Sequence, residues 1–248
     1  MISKKDLSSF YKNGYLIKRK LFSLQQCSQL KNKSKDILDK RITPYELEAE
    51  LNYPDGPIDR SNNTIRRIKH IYARDQLFSD VASDQNVINI IKQILDTKSL
   101  ILSQNHHNCI MTKQPQFSSR TDWHQDIRYW SFFDNNLVSF WLALTIENKM
   151  NGSLNIIPGS HLLDISKKNF DALLFLKSED DQNKELLKKS ISVELEIGDA
   201  IFFHCNLLHS ALSNRTQETK YSIVFTYYSN LNQPRKNTRS SILEDIKL

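Results

Sequence analysis

Apolar residues in the first hundred positions of the chain recur every three to four residues, a spacing typical of amphipathic helices. The first set ends at Asn13-Gly14, a pair that stops helices, and Ser23 is a predicted N-cap for the second set. The pattern predicts helices over residues 4–12, 23–40 and 76–95, with a short strand over residues 15–17.

Beyond Leu100 the apolar positions form short runs bounded by turn residues, which indicates β-strands. Their number and spacing favour an antiparallel sandwich or barrel. Two segments carry neither pattern. Residues 52–63, rich in Pro, Gly, Asp and Asn, are predicted to form a loop, and the charged residues 163–189 a partly helical insertion. The predicted strands cover residues 100–113, 138–146, 153–157, 192–195, 200–204 and 221–228.

These elements predict a single domain over residues 1–248, mainly β with flanking helices. A chain of 248 residues is long enough to bury a substantial core. We expect an N-terminal helical part, a β core with one insertion and a poorly packed C-terminal tail. Their predicted bounds are residues 1–99 for the helices, 100–230 for the core, 162–190 for the insertion and 231–248 for the tail.

Composition narrows the class of protein. The net charge is +6, but the lysines are spread along the chain, which favours a solvated basic surface over a nucleic-acid site. No apolar run reaches the roughly 20 residues that span a bilayer, and the N-terminus lacks the apolar stretch of a signal peptide. Cys27, Cys109 and Cys205 are scattered, which argues against disulfides and zinc–cysteine sites and favours the reducing cytoplasm.

The stretch WHQDIRYW, residues 123–130, places a histidine and a carboxylate two positions apart. In a strand, His124 and Asp126 project from the same face and can aim a ring nitrogen and a carboxylate oxygen at one point. A second histidine would complete a 2-His-1-carboxylate triad, which holds iron(II) and leaves coordination positions open. The spacing leaves two candidates for it, His204 and His209.

Three stretches of the chain resemble the phytanoyl-CoA dioxygenase family of iron(II)- and 2-oxoglutarate-dependent oxygenases. They are WHQDIRYW, NGSLNIIPGSH at residues 151–161 and GDAIFFHCNLLHSALSNRTQETKYSIVFTYY at residues 198–228. The N-terminal FYKNGYLIKRKLFSLQQCSQL is similar to the opening helix, strand and helix of the family. The stretches follow one another in the order of the family and span nearly the whole chain.

The resemblance implies a double-stranded β-helix (jelly-roll) core with His124, Asp126 and His209 as iron ligands, and leaves His204 as the second choice. It also implies that 2-oxoglutarate and O2 are consumed, with release of succinate and CO2, while a substrate is oxidised. A carboxylate at position 126 favours hydroxylation over halogenation.

The chain departs from the family where the far carboxylate of 2-oxoglutarate would bind. The family generally has an arginine eleven residues after the distal histidine, and here that residue is Lys220. Lysine supplies the charge without the bidentate fork of arginine. The resemblance also implies cosubstrate contacts from Trp141, Cys109 and Arg67. Each of them also has an interpretation without a ligand: Trp141 as a core residue, Cys109 as a small buried hydrophobic residue and Arg67 as a surface charge.

The sequence does not name the substrate. The basic charge and the resemblance favour a small molecule, either anionic or thioester-linked, and neither a membrane span nor a nucleic-acid partner is expected. The alternative function is a non-catalytic jelly-roll that binds a metal or a small molecule and whose 2-oxoglutarate site has decayed at Lys220. A nucleic-acid binder is the third class, but the chain has no basic motif interleaved with aromatic residues.

Overall fold

The computed structural model describes residues 2–50, 63–116 and 118–248, so the predicted loop 52–63 lies outside the described residues except for Asn63. The helices are α1 (Lys4–Asn13), α2 (Leu24–Asp39), α3 (Gln76–Ala82), α4 (Gln85–Ile94) and α5 (Asp181–Leu187). The strands are β1 (Tyr15–Lys18), β2 (Tyr45–Leu47), β3 (Ile65–Lys69), β4 (Leu100–Leu102), β5 (Asn108–Lys113), β6 (Thr121–His124), β7 (Leu137–Ala143), β8 (Leu154–Ile156), β9 (Ile191–Ser192), β10 (Ala200–His204), β11 (His209–Ala211), β12 (Lys220–Ser229) and β13 (Ile246–Lys247).

Capping residues set the helix boundaries. Ser3 and Ser23 begin α1 and α2 by accepting hydrogen bonds from backbone N–H groups three residues later. Gly14 ends α1 with a φ of 81°, a left-handed conformation that glycine adopts without strain. The single helix predicted over residues 76–95 is wrong. Asp84 interrupts it and caps α4, because its side chain accepts from the N–H groups of Asn86 and Val87.

Two facing antiparallel sheets form the β core, as the jelly-roll prediction requires. Among the described residues, the larger sheet has nine strands. Its main path runs β1-β10-β7-β12-β5-β3-β2, with β4 and β13 paired beside β12. The smaller sheet has four strands in the order β6-β11-β8-β9. The fold prediction of a mainly β, jelly-roll protein with flanking helices is confirmed.

The central strands of the larger sheet bury both faces. Phe140 and Leu142 on β7 pack toward the helices, in a cluster with Phe202, Ile223 and residues of α4. Trp141 on the same strand faces the smaller sheet, in a second apolar cluster. Successive side chains point to opposite faces of a strand, so the near-continuous apolar run of β7 is what a sheet between two layers requires.

The C-terminal segment packs against the core, so the prediction of a poorly packed tail is wrong. Strand β13 pairs with β4, and Ser240 is fully buried. The carboxylate of Asp245 accepts hydrogen bonds from the Tyr228 hydroxyl at 2.7 Å and from the backbone N–H of Gln104 at 2.6 Å. These contacts are distant in sequence, and local composition carried no sign of them.

The insertion after β8 folds over one end of the smaller sheet. It contains α5 and places Phe175 and Leu176 in buried positions. The backbone N–H of Leu176 donates to the carbonyl of Trp123 at 2.7 Å, which ties the insertion to β6. The strand predicted over residues 100–113 is two strands, β4 and β5, separated by a bend at residues 103–107. Among the described residues, no helix combines the length and the apolar character needed to cross a bilayer.

Candidate metal centre and cosubstrate pocket

Two histidines face each other across a strand pair of the smaller sheet. His124 is the last residue of β6 and His209 the first of β11, and the two are directly paired in register. Their rings lie 4.2 Å apart, centroid to centroid, and both side chains are buried. The antiparallel pairing thus brings together two residues that are 85 positions apart in the chain.

Asp126 completes the group, although not by the predicted route. Strand β6 ends at His124, and Asp126 begins a 3-10 turn, so the two side chains do not project from one strand. The turn nevertheless points the carboxylate inward. One oxygen of Asp126, Oδ1, lies 3.8 Å from Nε2 of His124 and 3.5 Å from Nε2 of His209.

The hydrogen bonds of the two histidines fix which ring nitrogen is available. In each ring Nδ1 contacts a backbone carbonyl oxygen two residues earlier, at 2.8 Å in His124 and at 3.0 Å in His209. A carbonyl oxygen can only accept, so Nδ1 carries the proton and Nε2 presents its lone pair. Burial, with the neighbouring His209 as a second cause, holds the pKa of His124 well below its ordinary value, which keeps that ring neutral and able to bind a metal.

The donor atoms fit a divalent ion. Asp126 Oδ1 is buried and accepts no hydrogen bond from a described residue, a costly state for a carboxylate oxygen without a cation. Two ligand atoms bound to one ion at roughly 2.1 Å each lie at most about 4.2 Å apart, and both Asp126 contacts satisfy that limit. Among the described residues, these three side chains are the cluster with metal-binding geometry.

A second layer of polar groups orients the carboxylate. Ser139 on β7 donates from Oγ to Asp126 Oδ2 at 3.0 Å, and Nδ1 of His107 lies 3.5 Å from the same oxygen. Ser139 also contacts Thr226 on the neighbouring strand at 3.3 Å. Partners of this kind direct the free oxygen of the carboxylate at the ion and raise metal affinity.

His204, the second choice for the distal ligand, lies elsewhere. It ends β10, and its Nδ1 accepts from the backbone N–H of Asn206 at 3.1 Å. Its ring packs 5.4 Å from that of His161, and burial lowers its pKa to about 4. His209, and not His204, therefore joins His124 and Asp126.

A cavity opens beside the three side chains, between the two sheets. Trp141 and Arg67 line it, and the guanidinium of Arg67 also pairs with Glu46 at 3.0 Å. Cys109 lies in the inner apolar cluster rather than on the cavity wall, and burial raises the pKa of its thiol to about 11. The apolar part of the wall includes Met111, Leu154, Phe203 and Ala211.

Lys220 also lines this cavity, at the start of β12. Its ammonium donates to Glu147 Oε2 at 3.0 Å and lies 5.1 Å from the centre of the Trp141 ring. The other oxygen of Glu147 accepts from the indole N–H of Trp141 at 2.8 Å and from the hydroxyl of Ser222 at 2.6 Å. Lys220 therefore already has an internal counter-ion, which the sequence pattern did not indicate.

Sequence reasoning missed four residues of the site. Lys113 on β5 is a buried lysine in the cavity wall. Glu147 and Ser139 are buried polar residues that hydrogen-bond to Lys220 and to Asp126, respectively. Phe175, from the insertion, packs edge-on at 5.8 Å from the ring of His124. The alternation of β5 and β7 could have placed Lys113 and Ser139 on the inner face, but nothing local marked Glu147 or Phe175.

The chain matches the family model described as Phytanoyl-CoA dioxygenase (PhyH) over residues 10–222. A probable phytanoyl-CoA dioxygenase of Caenorhabditis elegans is 25% identical over 230 residues, which cover 88% of this chain and 73% of the relative. The ectoine dioxygenase of Stutzerimonas stutzeri is 24% identical over 249 residues, with 88% and 74% covered.

Solved structures share the same fold. EctD from S. alaskensis, solved with 2-oxoglutarate and 5-hydroxyectoine, aligns with a TM-score of 0.75 at 22% identity, covering 94% of this chain and 78% of that one. The family match extends over most of the sequence and includes His124, Asp126 and His209, which the fold brings together. The chain therefore belongs to the phytanoyl-CoA dioxygenase family of iron(II)- and 2-oxoglutarate-dependent oxygenases.

Proposed function

We propose that this protein is an active iron(II)- and 2-oxoglutarate-dependent dioxygenase that hydroxylates a small molecule. Its metal ligands are Nε2 of His124, Nε2 of His209 and Oδ1 of Asp126. The observation that carries the proposal is the convergence of two lone-pair nitrogens on a buried carboxylate oxygen that accepts no hydrogen bond from a described residue. Three ligands leave further coordination positions of an iron ion open for reactants.

The other residues of the site orient the metal ligands and exclude water. Iron, when bound, supplies oxygen activation coupled to decarboxylation of 2-oxoglutarate, chemistry that side chains alone do not provide. Ser139 holds the carboxylate of Asp126 in orientation, and the backbone carbonyls behind both histidines hold their rings. The apolar wall of Leu154 and Phe203 excludes water from the reacting atoms.

The basic end of the cavity is the proposed place for the far carboxylate of 2-oxoglutarate. Lys220 and Trp141 lie there together, at the position that the family resemblance assigned to cosubstrate binding. Lys113 is also buried in this part of the wall, and buried lysines beside an aromatic ring suit a carboxylate that must leave water. Cys109 and Arg67 stay predictions as cosubstrate contacts, the first packed in the inner core and the second paired with Glu46.

The test is succinate formation by the purified protein with iron(II), ascorbate, 2-oxoglutarate and O2. Turnover of 2-oxoglutarate without a substrate should be slow but measurable and should disappear in His124→Ala. His161→Ala is the matched control, because that histidine packs near Gly14, away from the three ligands. If the wild type binds iron but yields no succinate, even with a library of substrates, the non-catalytic binding module replaces this proposal.

We propose further that the substrate carries an anionic group. A second cavity adjoins the first and shares Arg67 with it, and basic side chains of β3 and of the C-terminal segment line it. The guanidinium of Arg239 lies 5.5 Å from the centre of the Tyr129 ring, a residue that also lines the first cavity. These cations would attract a carboxylate, a phosphate or the acidic part of a thioester carrier. The cations of the second cavity are Arg67, Lys69 and Arg239, and Glu46, which pairs with Arg67, also lines it.

Stimulation of succinate formation tests this substrate class. Carboxylic acids and acyl thioesters should stimulate it more than their neutral amides, and Arg239→Gln should weaken that stimulation without changing substrate-free turnover. Equal stimulation by acids and amides would contradict an anionic substrate. We also propose a single domain and a cytoplasmic location, and the three reduced, buried cysteines support that location.

A further inference from the structure

Two lysines stand directly opposite each other inside the cavity wall. Lys113 ends β5, Lys220 begins β12, and the two are paired in register between neighbouring antiparallel strands. Both residues are buried, with exposed fractions of 6% and 2%. Like charges at such a pair of positions destabilise a sheet, and burial increases the cost because water no longer screens them.

The two lysines differ in their partners. Lys220 forms an ion pair with Glu147, which is itself held by Trp141 and Ser222. The ammonium of Lys113 donates to the backbone carbonyl of Ser119 at 2.9 Å, and no carboxylate among the described residues lies within ion-pair distance of it. A neutral carbonyl offsets part of the desolvation of an ammonium group, but it does not balance its charge.

The surrounding charges leave Lys113 unmatched. Arg66, also in the cavity wall, lies 3.4 Å from the buried carboxylate of Glu48, and Lys220 lies 3.0 Å from Glu147. Glu46 lies 3.8 Å from Arg66 and 3.0 Å from Arg67, so the other cations in this part of the wall each have a carboxylate within 4 Å, whereas Lys113 has none among the described residues. Burial first, and then the charges of Arg66 and Lys220, hold the pKa of Lys113 well below its ordinary value, and a carboxylate bound beside this amine would raise it again.

The backbone is also adapted to this lysine. Gly152 has a φ of +78°, and a Cβ at that position would lie 2.8 Å from Cδ of Lys113 and 2.2 Å from the carbonyl oxygen of Leu212. A larger residue would push the lysine stem out of its channel. The packing thus holds the side chain in the wall, and its ammonium has donors beyond the one that the Ser119 carbonyl accepts.

We infer that the ammonium of Lys113 binds the far carboxylate of 2-oxoglutarate, while Lys220 is a positioning residue held by Glu147. The inference rests on the proposed function and refines its cosubstrate site. The ligand carboxylate supplies the negative charge that Lys113 lacks and turns a repulsive pair of lysines into a balanced group. Lys113 is thereby the residue that makes the site select a dicarboxylic oxoacid over a monocarboxylic one.

Calorimetric titration without oxygen, with Mn²⁺ in place of iron, measures binding of the oxoacid separately from catalysis. The two ligands are 2-oxoglutarate and 2-oxopentanoate, which has the same carbon chain and no far carboxylate. Because a charge-assisted hydrogen bond contributes about 1.5–3 kcal/mol, the wild type should bind 2-oxoglutarate roughly ten- to hundredfold more tightly. Lys113→Met should lose most of this preference and keep its affinity for 2-oxopentanoate.

Three variants keep the outcome clear. Lys113→Arg retains a positive charge and should still prefer 2-oxoglutarate. Lys188→Met removes an exposed lysine and should leave both affinities unchanged. Thermal unfolding confirms that each variant is folded. The charge-neutral double variant Lys220→Met/Glu147→Gln should keep the preference within about threefold. Preference lost in the double variant but kept in Lys113→Met would overturn the inference and assign the carboxylate to Lys220. If the wild type with Mn²⁺ binds neither acid, the proposed function itself fails.

Discussion

Glu147→Gln would remove the counter-ion of the buried ammonium of Lys220 and should strongly destabilise the protein. The carboxylate is fully buried and accepts from Lys220 at 3.0 Å, from Trp141 at 2.8 Å and from Ser222 at 2.6 Å. A glutamine can keep its carbonyl oxygen toward Trp141 and Ser222, but its amide N–H₂ then faces the ammonium of Lys220. The substitution thus removes the counter-ion and places a donor against a donor.

The expected cost follows from burying one unpaired charge. Removing one partner of a buried ion pair destabilises a protein by about 3–5 kcal/mol, and the side chain of Lys220 is 1% exposed, so solvent cannot offset the loss. For a chain of this size, each kcal/mol lowers the melting temperature by roughly 2–4 °C. We therefore expect Glu147→Gln to melt roughly 6–20 °C below the wild type in the absence of metal and oxoacid.

Urea unfolding followed by circular dichroism at neutral pH measures this cost. The matched control is Glu185→Gln, which removes the carboxylate of an exposed ion pair with Lys188 and should leave stability unchanged within error. Lys220→Met/Glu147→Gln removes both buried charges and should recover most of the lost stability. A free energy of unfolding within about 1 kcal/mol of the wild type for Glu147→Gln would refute the reasoning, since an unpaired buried ammonium cannot cost so little.

Three further predictions follow from other buried polar groups. Ser139→Ala removes the hydrogen bond to Asp126 Oδ2 and should weaken Mn²⁺ binding, measured by calorimetry, about tenfold or more. An unchanged affinity would show that Ser139 does not orient the carboxylate. Since burial depresses the pKa of Lys113, the unfolded chain binds a proton that the folded chain does not, so stability should rise with pH between the folded pKa and about 10.4. Lys113→Met should make this rise shallower in urea unfolding at a series of pH values, whereas parallel profiles would contradict the depressed pKa. Asp245→Ala leaves the Tyr228 hydroxyl without its acceptor and should cost about 1–3 kcal/mol of unfolding free energy, while a loosely packed tail would give no change.

Local patterns in the sequence identified most secondary structure and the fold class. Periodicity located α1 and α2, and the short apolar runs corresponded to β7, β8, β10 and β12 within a few residues. The errors occurred where a side chain acts on its own backbone or where distant segments meet. Asp84 divided the predicted helix over residues 76–95 by capping α4, a local signal that the apolar pattern outweighed. The packed tail depends on Asp245 and β13 meeting β4 and Tyr228, which no local pattern records.

The metal ligands were predicted from motif and resemblance, but the reasoning about their geometry was only partly correct. His124 and Asp126 were expected on one strand, whereas a 3-10 turn begins at Asp126 and aims its carboxylate. The choice of His209 over His204 came from the resemblance. The structure supports it because β11 pairs His209 with His124 and leaves His204 beside His161.

By itself, then, the sequence indicated most of the elements and an antiparallel sandwich or barrel, because these follow from the periodicity of apolar residues. The jelly-roll and the chemical type of the site came from the resemblance of its motifs to a known family. Tertiary structure alone decided the charge balance of the pocket. Glu147 reaches Lys220 across 73 positions, and Lys113 meets Lys220 only because β5 and β12 are neighbours in the sheet. Electrostatic energy depends on the distance between the charges and on the exclusion of water from them. Both are set only when the chain has folded and the two sheets enclose the cavity.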